Sequence, residues 1–561
     1  MRGAGPRISR PAAGINRSSY REAPRAYPGR KVDILTSSIR NRSATTACPY
    51  PMDKVNALRD TTRVSRLLWL LAPGMLVALV VLFYPFRFAF ELDADEGVNL
   101  MKSLLVNQGA ELYTDVWSDQ PPLLTYLIAA LFRIVGVNLT VVRLTVLLFS
   151  CVLFWAAVQY LKAFWGTNHA IAGGLILILL PSYLRLSVSI MVGLPAIALA
   201  MLSFLAISYW HKDKKKLWLV LSGFALALSI MTKLFTGLLA PLFVAGLIAQ
   251  EWQGFRKTGS WSKFLAPGVL WTGGFGITAL LTGLLSIYPD GLSQLTVTHW
   301  TAQQTEFSDP TSIAGYLSES LPAIFLAVIG SVYVLQQGRP TGLYLTGWAL
   351  AGFLLLSQYS PIWYHHQLLV TIPVAILAGV AIGEFLVAIR DRFRNLRPVS
   401  VGAAMHVAVA VLIPYFAASS LSSSLRELDY RLPNLRPPAA DLREIEAVGM
   451  LDVMREYADA TNYILTDRPM FAIWLGKPVP PEVAALTGKR LLTGELSQVE
   501  IISAIQRYQP EQVALARFEL PQVEVYLQQH YRLVYHLTDH RLYVRGDLQP
   551  NSPNSSPGGG D

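Results

Sequence analysis

The sequence predicts a polytopic α-helical membrane protein with about eleven transmembrane helices, followed by a small α/β domain. Three observations predict it. First, 52% of the residues are hydrophobic and only 15% are charged, against about 25% charged in soluble domains. A soluble fold has nowhere to cover that much apolar surface, whereas a bilayer does. Second, the apolar residues fall in runs of membrane length, separated by short loops with basic clusters. Third, from about residue 419 charges recur throughout and no membrane-length run follows.

Residues 1–66 come first and are rich in Arg, Ser, Pro and Gly. They hold fourteen Arg/Lys against four Asp/Glu, which by itself accounts for the chain's net charge of +10. They read as a disordered basic cytoplasmic tail. No apolar stretch precedes Leu67, so no signal peptide is expected there. The basic balance is therefore local and topological and implies no nucleic-acid partner. Cys48 lies in the tail and Cys151 in an apolar run, so no disulfide framework is expected.

The expected spans cover about 67–86, 140–161, 168–183, 189–210, 216–231, 234–250, 264–288, 319–336, 342–358, 366–388 and 400–418. A twelfth candidate, 122–138, follows Pro121 directly and is interrupted by Arg133. Basic loops favour the cytoplasm. With eleven spans and a cytoplasmic N-terminus, 211-HKDKKK-216, Arg256, Lys257, Lys263 and 390-RDRFRNLR-397 all fall inside. Making 122–138 a span would invert every later loop. It is read as a helix at the outer interface, within an acidic first outer loop, 87–139. The transmembrane domain is thus 67–418. An outer domain, 419–546, opens on a polar linker over 419–441. Helices are expected at 442–459, 497–508 and 521–530, and strands at 463–465, 512–518 and 541–546. Residues 547–561, rich in Pro, Ser and Gly, read as a disordered tail.

The chemistry-bearing residues gather outside. The first outer loop opens 91-ELDADEGVNL-100, with Glu91, Asp93, Asp95 and Glu96 beside Gly97. Grouped carboxylates suit metal binding, shared protons or general-base work, and equally a solvated loop start. Asp115, Trp117 and Asp119 precede the pair Pro121-Pro122, which sets Asp119 at the rim of a helix start. Arg185 and Lys233 sit at the outer ends of spans, where they suit an anionic phosphate or snorkelling to headgroups. Arg143, also outside, breaks the positive-inside trend. Tyr364, His365 and His366 open a span beside Trp363; as adjacent helical residues, the two histidines are expected to point in different directions. His299 and Trp300 offer sugar hydrogen bonds and stacking.

In this order the strings resemble a family. Asp95-Glu96-Gly97, Leu112 to Trp117, Asp119 to Leu123, Gly136, Arg143-Leu144, Pro361 to Gln367 and 465-LTDRPMFAIWLGKPVPPE-482 resemble the integral-membrane GT-C glycosyltransferases. The bacterial branch of aminoarabinose transferases and protein O-mannosyltransferases is the nearer likeness, over about 67–546. The resemblance implies a polyprenyl-phosphate sugar donor and transfer on the outer face of a bacterial inner membrane. The acceptor would be a lipid, a glycan or a protein. It implies that Asp95 is the catalytic acidic position and that Glu96 supports the loop or the acceptor. Asp119 would lie near the cavity, and Arg185, Lys233, Tyr364, His365 or His366 would meet the donor. Some relatives bind a divalent metal, but only Glu96, Asp119 and one histidine offer a set here. Gln120 stands where many relatives have Lys, and Leu194 where an acidic residue often precedes the proline. The competing class is a transporter or lipid flippase, which predicts matched repeats and midplane charges; no repeat is evident.

Overall fold

The computed structural model describes residues 63–84, 86–87, 89–284, 289–304, 312–338, 340–395, 403–431 and 442–550. The basic tail through residue 62, part of the linker (432–441) and the last residues from 551 lie outside these.

The membrane part is a bundle of helices. They are α1 (Arg63–Phe83), α2 (Glu96–Asn107), α3 (Leu123–Val135), α4 (Leu139–Phe164), α5 (Thr167–Leu179), α6 (Gly193–Asp213) and α7 (Lys216–Ile230). There follow α8 (Leu239–Thr258), α9 (Trp261–Leu284), α10 (Pro289–Gln304), α11 (Leu321–Gln336), α12 (Pro340–Ser357), α13 (Leu368–Asn395) and α14 (Ala403–Arg431). Among the described residues seven helical segments are long and apolar enough to cross a membrane, and five shorter helices are apolar. Each of the eleven expected runs overlaps one of these; the remaining one is Leu123–Val135. The protein is a polytopic α-helical membrane protein.

Between lipid-facing helices the hydrophobic effect offers little, so close packing of backbones holds the bundle. Gly330 of α11 shows this. A methyl group there would meet the Leu377 carbonyl oxygen of α13 at 1.9 Å, so only glycine lets these helices approach so closely. Basic residues collect at one end, where Lys214 pairs with Glu251 at 4.0 Å and lies near Lys216 and Lys263.

Two elements of the membrane part differ from expectation. The last helix continues as α14 to Arg431, through the first part of the expected linker, because Ser and Leu on short stretches do not break a helix already propagating. Within the expected outer loop 289–318, Pro289–Gln304 is helical as α10.

The C-terminal domain comprises α15 (Leu442–Arg455), β1 (Ile464–Thr466), α16 (Met470–Trp474), α17 (Gly488–Thr493), α18 (Gln498–Tyr508), β2 (Gln512–Leu515), α19 (Pro521–His530), β3 (Tyr531–Leu537) and β4 (His540–Arg545). Strand order is β1-β2-β4-β3. β1 runs parallel to β2, with Leu465 opposite Val513, and β4 is antiparallel to both β2 and β3. Parallel pairing needs a crossover, here α16 to α18. α18 starts at a capping box: the Ser497 N–H donates to Glu500 at 2.7 Å, and the Glu500 N–H donates to Ser497 Oγ at 3.3 Å. β3 was not expected. It is an edge strand with a register shift between Leu533 and Tyr535, so its burial does not alternate and the period-2 signal is lost.

Two cores result. One fills the bundle. The other joins α2 and α3 to the C-terminal domain, bringing Leu100, Met101, Leu124, Ile128 and Phe132 together with Met450, Met470, Phe471 and Val479.

Candidate active site

The site begins where α1 ends. Glu96, in the first turn of α2, is fully buried with Arg143 of α4. Arg143 Nη2 donates to Glu96 Oε2 at 2.6 Å and Nε to Oε1 at 3.3 Å. The same carboxylate accepts from the backbone N–H of Leu92 at 2.8 Å and of Ile190 at 2.9 Å. Arg143 Nη1 donates to the carbonyls of Phe86 and Ala89. Together the pair nails the loop entry to the bundle. Arg143, which broke the charge trend, has its reason here. Both Glu96 oxygens are spent on structure.

Asp93 is buried and accepts from the Tyr364 hydroxyl, with Arg185 Nη2 at 3.9 Å. Burial first, then the neighbouring Asp95 charge, push its carboxyl up to about 6. Arg185 also donates to the Leu92 carbonyl at 3.0 and 2.7 Å and lies 5.1 Å over the Tyr364 ring. Asp95 differs: its side chain is 44% exposed and its ion-pair partner is Arg517, with Nη2 at 3.9 Å. Among the described residues its carboxylate accepts no hydrogen bond.

Asp119 follows a tight loop in which Tyr113 takes φ +75°. Gln294 of α10 clamps that loop, accepting from the Ser118 N–H at 2.9 Å and donating to the Tyr113 carbonyl at 2.7 Å. Lys489 of α17 donates to Asp119 Oδ2 at 2.5 Å. Burial raises the Asp119 carboxyl, but the neighbouring ammonium groups, Lys489 before Lys102, outweigh it and hold the group well below the usual carboxylate range. His299 Nε2 lies 3.0 Å from the Asp119 carbonyl oxygen, which only accepts, so Nε2 carries the proton. Its Nδ1 then accepts from the Tyr359 hydroxyl at 2.7 Å and faces Lys489 Nζ at 3.4 Å. This assignment makes the imidazole neutral.

Lys233, between α7 and the helical turn Leu234–Leu238, is buried. Its ammonium lies 5.3 Å from the Phe235 ring and makes no ion pair among the described residues. Burial lowers it to about 8 against the opposing pull of Asp95 and Asp119. Lys102, also buried, donates to Ser118 at 3.2 Å. His365 and His366 stand on a 3-10 turn, their rings 4.5 Å apart. They do not diverge as they would on an α-helix. His366 Nδ1 accepts from the Trp363 N–H at 3.2 Å, which leaves Nε2–H as a donor.

The C-terminal domain supplies the other cations. At the carboxyl ends of the parallel strands, Asp467 accepts from the N–H groups of Ala516, Arg517 and Phe518 at 2.9, 2.8 and 2.8 Å. That ties the loop after β2 to the loop after β1. It aims Arg517 at Asp95, while Arg468 donates to Glu91 at 2.6 Å. Burial, against Arg468, pushes Glu91 up to about 7. Arg490 lies 4.9 Å over the Trp117 ring, so Trp117 meets the domain.

Three comparisons bear on this arrangement. Residues 119–272 match the family profile described as dolichyl-phosphate-mannose-protein mannosyltransferase, a stretch well short of half the chain. No curated protein sequence matches. Among solved structures, ArnT from Cupriavidus metallidurans bound to undecaprenyl phosphate aligns with a TM-score of 0.57 at 15% identity, over 84% of this chain and 97% of that one. Its apo state gives 0.55 at 15% identity, over 85% and 98%. The archaeal oligosaccharyltransferase AglB from Archaeoglobus fulgidus gives 0.47 at 11% identity, over 87% and 75%.

The chain shares the fold of ArnT. At this identity the likeness to ArnT is one of architecture, and the chemistry rests on this chain's own residues. On that frame, Asp93, Asp95, Asp119, Arg185, Lys233, Tyr364, His365 and His366 line or adjoin one polar region; Glu96 sits behind it. Glu96, Asp119 and a histidine do not come together as a metal set: Glu96 is consumed by Arg143, and no three metal-binding side chains cluster among the described residues. Sequence reasoning missed Lys102, Tyr359, Lys489 and Arg517. For Lys489 and Arg517 the one available signal was the one Arg143 gave, basic residues on the outer side. Chemically, the region offers an exposed carboxylate beside buried cations.

Proposed function

We propose that the protein is a glycosyltransferase that moves a sugar from a polyprenyl-phosphate donor to a hydroxyl acceptor on the outer face of the membrane. The observation that carries this is Asp95. Among the described residues it is an exposed carboxylate without a hydrogen-bond donor, set within electrostatic reach of the buried Lys233 ammonium, which has no ion-pair partner among them. The first is what a general base needs, the second what a phosphate needs. The GT-C fold, the structural likeness to an ArnT bound to undecaprenyl phosphate, and the mannosyltransferase profile support the donor class.

In this reading the acceptor oxygen attacks the anomeric carbon opposite the phosphate, and Asp95 takes its proton. The bond between the anomeric carbon and the phosphate oxygen breaks, its electron pair stays on the phosphate, and the configuration inverts. Lys233 and the N–H donor of His366 meet that charge. Tyr364 holds Asp93, and the Glu96–Arg143 pair holds the loop bearing Asp95. The apolar tail lies between helices, in lipid. The basic end of the bundle supports eleven crossings with the N-terminus in the cytoplasm. The acceptor is a lipid, a glycan or a protein. A transporter would string polar groups through the bundle, whereas Asp95, Asp119 and Lys233 gather at one end.

The test is transfer from radiolabelled polyprenyl-phosphate sugars in proteoliposomes, wild type against Asp95→Asn. Transfer by the wild type and a loss of about 100-fold or more in the variant is expected, with donor binding retained. Full activity in the variant removes Asp95 as base. No transfer across a broad donor and acceptor panel removes the enzyme class.

A further inference from the structure

The C-terminal domain does more than cover the cavity. Lys489 reaches in from α17, and its position is fixed. The helix packs against α10. The neighbouring Arg490 donates to the carbonyls of Glu482 and Ala485 at 3.1 and 3.2 Å and lies over Trp117, two residues before Asp119. An ammonium has three donors. One meets Asp119 at 2.5 Å and one faces His299 Nδ1 at 3.4 Å. The third has no partner among the described residues.

Charge accounting gives that third donor a use. A polyprenyl-phosphate sugar is a phosphodiester and carries one negative charge. The departing monoester carries nearly two at neutral pH, since its second pKa is about 6. Lys233 meets the first charge. Of the remaining cations, Lys102 is turned to Ser118, and Arg185 is engaged by the Leu92 carbonyl and by Asp93. We infer that Lys489 is the cation that receives the second charge of the leaving phosphate, so that the outer domain completes the active site. This rests on the transfer reading above. Asp119 keeps the ammonium charged until it is needed: burial lowers the Lys489 pKa, and the opposing groups, the Asp119 carboxylate first among them, more than restore it.

The experiment uses the full-length chain in nanodiscs and reads binding separately from transfer. Radiolabelled polyprenyl phosphate and its monosaccharide diester are titrated against wild type, Lys489→Gln, Lys489→Arg and the double variant Asp119→Asn/Lys489→Gln. Lys489→Gln is expected to weaken polyprenyl phosphate about tenfold or more and the diester about twofold to threefold. Its single-turnover rate is expected to fall about 100-fold. Lys489→Arg should recover much of the binding. The double variant should not. Equal losses for both ligands, or recovery in the double variant, would show that Lys489 only neutralises Asp119, and would overturn the inference. If Lys489→Gln does not fold, the double variant against Lys489→Arg makes the same distinction. A wild type that binds neither ligand sinks the transfer reading, whereas a wild type that binds both while Lys489→Gln binds as well sinks Lys489 alone.

Discussion

At the scale of single residues, the site holds charges that the fold would be more stable without. Lys233 is the clearest. Its folded pKa is lowered from 10.5 to about 8, so between those values the folded state binds fewer protons than the unfolded state. Stability therefore rises with pH across that window. Anion binding does the opposite and fades as pH climbs through about 8. Lys233→Met should raise stability near neutral pH by up to about 3 kcal/mol while abolishing polyprenyl phosphate binding. Thermal unfolding and ligand titration check the pair of effects, and a destabilised variant would mean that the charge is compensated. Glu96 and Arg143 make the contrasting case, because both are buried and fully partnered. Arg143→Met alone leaves a buried carboxylate uncompensated and should cost about 3–5 kcal/mol, with part of that recovered in Glu96→Gln/Arg143→Met. A double variant no better than the single would place the damage in the freed Phe86 and Ala89 carbonyls. In the sequence Asp95 stood out through the carboxylates grouped around it, Asp119 through the proline pair that follows it, and Lys233 because charge at the end of an apolar run is costly without a use. Lys489 was not, because nothing within α17 says which surface that helix will meet.

At the scale of elements, the contact between α2 and α16 sets the geometry. A methyl group on Gly97 would stand 2.5 Å from the Met470 backbone nitrogen and 3.2 Å from its Cβ. Backbone cannot swing away as a side-chain tip can, so one element must move. Gly97→Ala should cost about 1–3 kcal/mol and shift Arg468 and Arg517 off Glu91 and Asp95. Transfer should fall more than stability does, which a thermal unfolding midpoint read beside the transfer rate will show. Unchanged activity would mean the docking tolerates displacement. In the sequence Gly97 is only the glycine beside the carboxylate cluster, with nothing to show what it meets. The same limit runs through the other elements. Membrane helices were readable because their apolar composition alone suffices to place them. α15, α18 and β2 carry periodicity and caps of their own. β3, an irregular edge, takes its conformation from β4 and has no pattern to read. The 3-10 turn at Tyr364–Gln367 likewise brings the His365 and His366 rings together where helical spacing would part them.

At the scale of the whole molecule, the second core decides whether the outer domain is an appendage. It is not a core of the domain alone, since Leu100 and Met101 of α2 and Leu124, Ile128 and Phe132 of α3 are buried with Met450, Met470, Phe471 and Val479. Three charged contacts cross the same surface: Arg468–Glu91, Arg517–Asp95 and Lys489–Asp119. Removing the domain would open an apolar face on two helices that lie outside the bundle core, and would leave Glu91 and Asp119 without their cations. A chain ending at Arg431 is therefore expected to insert, because its bundle has a separate core, but to lose order in its first outer loop. Protease added to the outer side of vesicles should cut within residues 96–135 of the truncated chain and not within those of the full chain, and transfer should vanish. Should the loop stay protected and transfer continue, α2 and α3 would be stable on the membrane surface alone. The acidic loop would then be the whole of the catalytic site, and Lys489 would have no place in it.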